Sequence, residues 1–343
     1  MSYIDDATKN YAISKVRSDR TKNIEEVSLK AFDRFCRSKF DKVLHTVIED
    51  LLVVDNEKRL KFLDSYVQWL IVQNVRPSSI QTYFSNLKRY LRRNGIKLIK
   101  EDIRDFVQFP RSVIEMRYAI SKEELKIILD NASERRKALY LTLISSGMRI
   151  GETLALKKRD FTFANGYTRI VIPAKFTKTK TGRETFISSE ARELVERLCV
   201  RKTQDDYVFH ESNNLHHALM VEEVIFNRTR KKADLAEKYS EHSRSKITLH
   251  SFRSFFFTKA TNRHGDSYAH ALTGHGGYLP QYYRLTQQER IKMYKELENA
   301  LLVYTSGDST EKDDIIKDYG KRLSNAEKII KQLSDRLDSK VNE

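Results

Sequence analysis

Hydrophobic positions in the first hundred residues recur with the period of α-helices. The clearest stripe begins after Pro77, stops at Asn94-Gly95, and places apolar residues three or four positions apart: Ile80, Tyr83, Phe84, Leu87, Tyr90 and Leu91. Similar stripes predict helices around residues 24–40 and 60–72. Because no glycine precedes Gly95, we expect a helical bundle over residues 21–112, after an N-terminal extension over 1–20.

The pattern changes over residues 97–117, where the helical period is lost and Pro110 interrupts the chain. We interpret this stretch as a linker between two domains. Ser121, followed three residues later by Glu124, fits a capping box and predicts the first helix of a second domain that spans 113–305. Further helical stripes lie at residues 139–146, 190–199, 221–235 and 250–261.

Two runs rich in β-branched residues, 168–173 and 185–188, are separated by a polar segment with Lys175, Lys178 and Lys180. They predict a β-hairpin with a basic tip. The fold class is therefore mainly α with a small β-hairpin or sheet.

The last segment, 306–343, has its own repeat. Ile316, Leu323, Ile330 and Leu337 recur every seven residues, with charges between them. This pattern predicts a short coiled-coil-like helix; a single helix folded back on the protein surface is the alternative.

Composition narrows the kind of partner. The 343 residues include 63 Lys and Arg against 47 Asp and Glu, a formal net charge of +16, which favours a polyanion as partner. The basic residues of the helix at 80–91 lie off its apolar stripe, where they suit a phosphate backbone or a merely solvated face: Lys88, Arg89, Arg92 and Arg93.

Other compositional features exclude several classes of protein. No apolar run approaches the ~18 to 20 residues that a membrane span needs, and the N-terminal residues lack the pattern of a secretory signal. The cysteines, Cys36 and Cys199, cannot form a disulfide framework or a Cys-based zinc site. The neighbours His216 and His217 point about 100° apart on a helix, so we interpret them as a surface pair. We expect an intracellular protein.

Four motifs of the second domain carry chemistry that suits an oxyanion, although each is weak alone. Arg149 stands between Gly147 and Gly151, and His250 and Arg253 stand three apart at a predicted helix start. The hairpin tip supplies lysines. The last motif is Gly274-His275 followed by the pair Tyr282-Tyr283.

Taken together and in this order, these motifs resemble the active site of the tyrosine recombinases, which include the phage-type integrases and Xer-type recombinases. The resemblance covers residues 22–304 and is greatest to integrases of archaeal viruses and mobile elements. It implies a helical core-binding domain, which contacts DNA, followed by a catalytic domain. Lys175 and Lys178 are expected to contact DNA phosphates beside Lys180.

The resemblance also implies a role for each matched residue. Arg149 and Arg253 would bind the scissile phosphate, and Lys180 would protonate the departing 5′ oxygen. His250, helped by His275, would accept the tyrosine proton or hold the phosphate.

The position of the nucleophile departs from the family. The usual spacing after Gly-His falls on Arg284, so the choice lies between Tyr282 and Tyr283. Tyr283 is closer to that spacing, but the glycines and Pro280 before it make counting unreliable. The Tyr-x-Arg ending favours Tyr282.

The function expected from this resemblance is site-specific DNA recombination, or integration, through a covalent 3′-phosphotyrosine intermediate. The expected partners are double-stranded DNA and further copies of the chain, as a tetramer on paired sites, with accessory DNA-bending proteins left open. No cofactor, metal or membrane is expected, and the location would be the cytoplasm, at the nucleoid of the host cell. The alternatives are a type IB topoisomerase and a non-catalytic DNA-binding protein of recombinase ancestry.

Overall fold

A computed structural model of the chain describes residues 19–111, 116–240, 244–275, 282 and 284–305. The chain divides into two compact units, Met1–Ile114 and Glu115–Glu343. The coiled-coil-like helix predicted over 306–343 and most of the predicted N-terminal extension lie outside the described residues.

The described part of the first unit is helical. Its helices are α1 (Asp19–Phe40), α2 (Leu44–Val53), α3 (Asn56–Val72), α4 (Pro77–Arg93) and α5 (Lys100–Phe106). The three predicted helices are confirmed as α1, α3 and α4, and Pro77 lies in the first turn of α4, where its missing N–H costs nothing.

Two helices of this unit were not expected. The α2 helix buries Leu44, Val47, Ile48 and Leu51, a helical stripe that the sequence does carry. The linker interpretation of residues 97–117 is wrong in part, because it contains α5. That helix has only seven residues and a single buried one, Ile103, too few to produce a visible period.

Aromatic rings fill the core of the first unit. The Phe32 ring lies 4.9 Å from Tyr66 and 6.0 Å from Phe35, centroid to centroid. Between α1 and α4, buried Asn86 donates a hydrogen bond of 2.8 Å to Ser28. The apolar stripe predicted on α4 faces the same core, because five of its six residues are buried there.

The second unit contains more helices and the sheet. Its described helices are α6 (Lys122–Asp130), α7 (Glu134–Ser146), α8 (Ile150–Leu154), α9 (Ser189–Cys199), α10 (Leu215–Lys232), α11 (Leu249–His264), α12 (Asp266–Thr273) and α13 (Gln287–Leu301). The capping box of Ser121 and Glu124 is present at α6. The helix predicted over 221–235 begins six residues earlier and ends at Lys232, because Asn214 caps it through hydrogen bonds from the His216 and His217 N–H groups.

The sheet is antiparallel and three-stranded, in the order β1 (Phe161–Ala164), β2 (Tyr167–Ile172) and β3 (Arg183–Ile187). The predicted hairpin is confirmed as β2 and β3, with Ile170 opposite Thr185. The four-residue β1 was not predicted. The mainly α fold class with a small sheet is thus confirmed.

The α7 helix runs through the centre of the second core, and every residue from Ala138 to Ser146 is buried. It ends at Gly147, whose φ of +63° is the left-handed conformation that glycine adopts without strain. A side chain at Gly147 would also overlap the Phe256 ring of α11. The end of α7 is therefore fixed closely against α11.

No helix in the described ranges is both long and apolar enough to span a membrane.

Candidate active site

Arg149 is placed by the break between α7 and α8. It is the residue that caps α8, and its backbone N–H donates to the Glu152 carboxylate at 3.0 Å. Its guanidinium Nη1 lies 2.9 Å from Glu152 Oε1, while 31% of its side chain stays exposed. Glu152 therefore holds Arg149 in one position and leaves part of its guanidinium open to a ligand.

Arg253 lies one turn into α11, three residues after His250. It is only 5% exposed, and its guanidinium donates to the Gly147 carbonyl at 2.7 Å and the Thr273 carbonyl at 2.6 Å. Burial and the positive charge of Arg149 lower the pKa of Arg253 to about 9, so it remains charged at neutral pH. Two carbonyls fix this cation without neutralising it.

Glu152 and Arg183 form a buried pair that sequence reasoning missed. Arg183, the first residue of β3, places Nη2 2.6 Å from Glu152 Oε2, and both side chains are almost fully buried. Burial opposes ionisation of Glu152, but hydrogen bonds and charge from Arg183 and Arg149 lower its pKa below the usual range.

The buried pair of Glu152 and Arg183 also explains why residue 274 is a glycine. Arg183 Nε donates to the Leu272 carbonyl at 3.0 Å, and a Cβ at Gly274 would lie 2.7 Å from Arg183 Nη1. The glycine of the Gly-His motif is therefore needed where the backbone passes the buried guanidinium. Arg183 lies in the polar segment between the two predicted strands, so the sequence pattern gives no sign that its side chain is buried in β3.

His250 and His275 are both exposed in part. The pKa of His250 is lowered by burial, then by the charges of Arg253, Arg117 and Arg149. The pKa of His275 is lowered by burial, then by Arg253, His270, Arg149 and Arg183. Since free histidine titrates near pH 6.5, both rings are neutral at neutral pH.

Four of the predicted site residues line one cleft of about 790 Å³: Arg149, His250, Arg253 and His275. The segment 117–123 lines another side of the cleft and contributes the cations Arg117 and Lys122. Lys259 of α11 contributes a third cation. The cleft thus presents fixed positive charge beside two neutral imidazoles, an environment suited to a phosphodiester.

Lys180 lies elsewhere in the described structure. It is exposed in the loop between β2 and β3, adopts a φ of +56°, and its Nζ donates to the Lys175 carbonyl at 3.2 Å. It is not among the described residues that line the cleft. Lys175 and Lys178 are exposed in the same loop.

Tyr282 is buried, with 4% of its surface exposed. Its ring packs edge-on against Tyr268 at 5.8 Å and lies beneath the Arg290 guanidinium at 5.7 Å. Arg290 in turn is paired with Glu184 of β3 at 2.6 Å. Tyr282 does not appear among the described lining residues of the cleft, and Tyr283 lies outside the described residues.

The basic residues of α4 differ in exposure. Arg92 and Arg93 are exposed, Lys88 is half-buried, and Arg89 is held by Glu25 at 3.3 Å and by the Asn86 side chain.

Metal-ligating residues do not cluster in the described part of the chain, where no group of three His, Cys, Asp or Glu side chains could hold an ion. His216 and His217 are both exposed at the start of α10. The two cysteines are buried.

Comparisons with known proteins identify the class. Residues 119–277 match the phage integrase family. The fold resembles a lambda integrase (residues 75–356) dimer bound to a COC' core site, at 17% identity and a TM-score of 0.56, over 82% of this chain and 94% of that chain.

Two further solved structures share the fold. One is XerH site-specific recombinase bound to a palindromic difH substrate, at 17% identity and a TM-score of 0.53, over 81% of this chain and 76% of that one. The other is the Tn1549 transposon integrase with transposon right end DNA, at 14% identity and a TM-score of 0.50, over 78% of this chain and 98% of that chain. No curated protein matches the chain.

Residues 119–277 thus form a phage integrase, or tyrosine recombinase, family domain. The chain thus contains the domain of the tyrosine-type site-specific recombinases, enzymes that break and rejoin DNA strands.

Proposed function

We propose that this recombinase cuts one DNA strand at a time with a tyrosine that becomes linked to the 3′ phosphate, and that the cleft of Arg149 and Arg253 is where the scissile phosphate binds. The observation that carries this proposal is the pair of arginines in one cleft, one fixed by Glu152 and the other by two backbone carbonyls. Guanidinium groups held in this way stabilise the charge that develops on the nonbridging oxygens.

The nucleophile in this proposal is Tyr283. What supports it over Tyr282 is the burial of the Tyr282 ring between Tyr268 and Arg290, which makes Tyr282 an anchor for the segment. Arg290 also donates to the Leu285 carbonyl at 2.7 Å, so it holds the chain on the C-terminal side of Tyr283 as well. A nucleophile must reach the phosphate, and a ring packed in the core cannot.

The test for the nucleophile traps the covalent intermediate. The full-length protein is incubated, in excess chelator, with nicked duplex fragments of the replicon that carries its gene, and adducts that survive denaturation are counted. Tyr283→Phe should abolish them, whereas Tyr282→Phe, which keeps the buried ring, should retain them.

The reverse result would return the role to Tyr282. Adducts in both variants would overturn both assignments, and adducts that require added magnesium would overturn the metal-free mechanism.

Lys180 is proposed as the acid that protonates the leaving 5′ oxygen. What supports this role is its exposure on the loop between β2 and β3. A 5′ sulfur leaving group needs no proton, so a bridging 5′-phosphorothiolate substrate should restore cleavage to Lys180→Ala. Lys178→Ala and Lys175→Ala serve as matched controls, since we propose that these two only bind DNA. Rescue of Lys178→Ala instead would reassign the acid.

The partners proposed are double-stranded DNA and further copies of the chain. The solved relatives include a lambda integrase tetramer bound to a Holliday junction, and we propose the same tetramer here, with accessory DNA-bending proteins as a further partner. The basic faces of α4 and of the hairpin loop would contact the backbone.

The biological setting that we propose is a mobile element; one solved relative is named as the integrase of the transposon Tn1549. The proposal includes an origin in an archaeal virus and action on DNA at the nucleoid. Exchange of strands between two duplexes, rather than relaxation of supercoils alone, would distinguish this function from a topoisomerase.

A further inference from the structure

The cleft holds more positive charge than one phosphodiester needs. Among the described residues that line it, five are cations and one, Glu123, is a carboxylate. A phosphodiester carries a single negative charge, which the arginine pair of the proposed scissile-phosphate site already exceeds. Three further cations are left for a second anion: Arg117, Lys122 and Lys259.

The cleft is also longer than one phosphate. It follows α11 from His250 to Lys259, which is about 13 Å of helix at ~1.5 Å per residue. His250, Ser254 and Thr258 are spaced four apart, so they form one exposed row along it. Successive phosphates of one DNA strand are only ~3.4 Å apart along the duplex axis. A strand that follows the cleft therefore places at least one more phosphate in it.

The three further cations do not form one group. Burial lowers the pKa of His250, and three arginines, Arg117 among them, lower it further. Neither Lys122 nor Lys259 is among the charges that lower this pKa. Arg117 therefore belongs with the arginine pair, whereas the two lysines make a separate centre of positive charge.

Lys259 is placed to meet a ligand. Its Nζ lies 5.4 Å from the centroid of the Phe255 ring, one turn earlier on α11, and within the described ranges it pairs with no carboxylate. Arg263, one turn further along the same helix, is instead paired with Glu296 at 3.7 Å. An ammonium held against a ring face keeps its hydrogen-bond donors for a ligand.

The segment that carries Lys122 is fixed by hydrogen bonds. The Tyr118 N–H donates to the Tyr239 hydroxyl at 2.8 Å, and the Tyr118 hydroxyl donates to Glu124 at 2.5 Å. Ser121 caps α6 by accepting from the Glu124 N–H at 3.2 Å. Lys122 is therefore the first residue of a helix whose start is held in place.

We propose that Lys122, Lys259 and the Ser254 hydroxyl form a second phosphate subsite, which binds a phosphate within two positions of the scissile one on the cleaved strand. The inference rests on the proposed function, because it takes the arginine pair as the place of the scissile phosphate. Ser254 is exposed one turn beyond His250, whereas the Thr258 hydroxyl already donates to the Ser254 carbonyl at 3.1 Å. The subsite adds affinity and takes no part in the chemical step.

The salt dependence of DNA binding tests the subsite without any cleavage. Full-length protein is titrated onto a labelled duplex of arbitrary sequence at several salt concentrations. Each phosphate contact adds ~0.9 to the slope of log affinity against log salt, so Lys122→Gln combined with Lys259→Gln should flatten the slope by about 0.9. Lys122→Arg combined with Lys259→Arg keeps both charges and should keep the slope. An unchanged slope in the double glutamine variant would overturn the inference.

The matched control is Arg263→Gln, which removes a cation of the same helix that already has a partner and lies outside the cleft lining. It should leave the slope unchanged, and a loss equal to that of the double glutamine variant would overturn the subsite. At saturating protein, the double glutamine variant should form adducts within about threefold of the wild-type rate, since only binding is lost. A slower rate with unaltered affinity would place the lysines in the chemistry instead.

Neutral methylphosphonates then map the position on the DNA. They are placed one at a time around the cut in a nicked fragment that forms adducts. One of the two nearest phosphates on the cleaved strand should weaken binding as much as the double glutamine variant does, and combining both changes should add nothing. Weakening confined to the other strand would overturn the inference. If wild-type protein forms no adduct, the proposed function fails, while the salt slope still decides whether the lysines bind DNA phosphate.

Discussion

The two units bury charge in different ways. In the first, the carboxylate of Glu25 is buried but meets Arg89 at 3.3 Å, and 45% of the Arg89 side chain is exposed. In the second, Glu152 meets Arg183 at 2.6 Å with both side chains almost completely buried. The first unit thus keeps its cation at the surface, whereas the second encloses both partners.

A buried ion pair is a poor way to gain stability, because desolvation of two charges offsets most of their attraction. The second unit nevertheless keeps Glu152, Arg183 and Arg253 inside. Since Glu152 also holds Arg149 at the cleft, the gain is a fixed position for the cations that we propose to meet the phosphate. The comparison teaches that the enclosed pair of the second unit serves to place Arg149 and Arg183 rather than to add stability.

The largest effect is expected where the enclosed pair is broken. Glu152→Gln should lower the free energy of unfolding by about 3–5 kcal/mol, because it leaves Arg183 buried without a counter-charge. Glu25→Gln should lower it by only about 1 kcal/mol, since Arg89 can turn to solvent. Denaturant unfolding followed by fluorescence and circular dichroism measures both.

If Glu152→Gln and Glu25→Gln lowered the free energy of unfolding equally, the two units would not differ in how they bury charge. Glu26→Gln, at an exposed pair with Lys30 on α1, provides the baseline and should change stability by less than about 0.5 kcal/mol.

A smaller effect is expected from two buried tyrosines. The Tyr294 hydroxyl in the second unit donates to the Ser145 carbonyl at 2.8 Å, so Tyr294→Phe should cost about 1–2 kcal/mol. The Tyr66 hydroxyl in the first unit is buried without a hydrogen bond to any described residue, and Tyr66→Phe should be neutral or stabilising. The measurement is the shift in denaturation midpoint. A larger loss for Tyr66→Phe would show that the first core depends on polar contacts after all.

The smallest effect concerns pH. A general base works in its neutral form, so adduct formation should fall as pH drops through a histidine pKa that lies below 6.5. Removing a cation that lowers the histidine pKa would raise that pKa, so adduct formation would begin to fall at a higher pH. Arg117 acts on His250 but is not among the charges that lower the pKa of His275.

If His275 is the base, Arg117→Gln should therefore move the midpoint of the fall by less than about 0.3 pH units. Single-turnover rates from pH 5 to 8 provide the profile. A clear upward shift would assign the base to His250.

Sequence patterns predicted most of the long helices and the hairpin, although not α13, and the motifs singled out four residues that meet at the cleft. Each of these features is encoded within a few neighbouring positions. The sequence patterns did not find α5 or β1, which are too short to show a period. Nor did they find the link between Glu152 and Arg183, which are 31 positions apart and meet only in the folded unit. The burial of Tyr282 was equally invisible, since it depends on Tyr268 and on Arg290 from α13.

The hydrogen bond to the Gly147 carbonyl affects when, during synthesis of the chain, activity can first arise. It accepts from Arg253, which is synthesised 106 residues later, and the second carbonyl that holds this guanidinium belongs to Thr273. A ribosome that has released α7 and α8 has therefore made only an incomplete form of the proposed phosphate site. We expect a chain truncated before α12 to leave DNA intact, so that strand breakage is withheld until nearly the whole catalytic unit has been translated and folded.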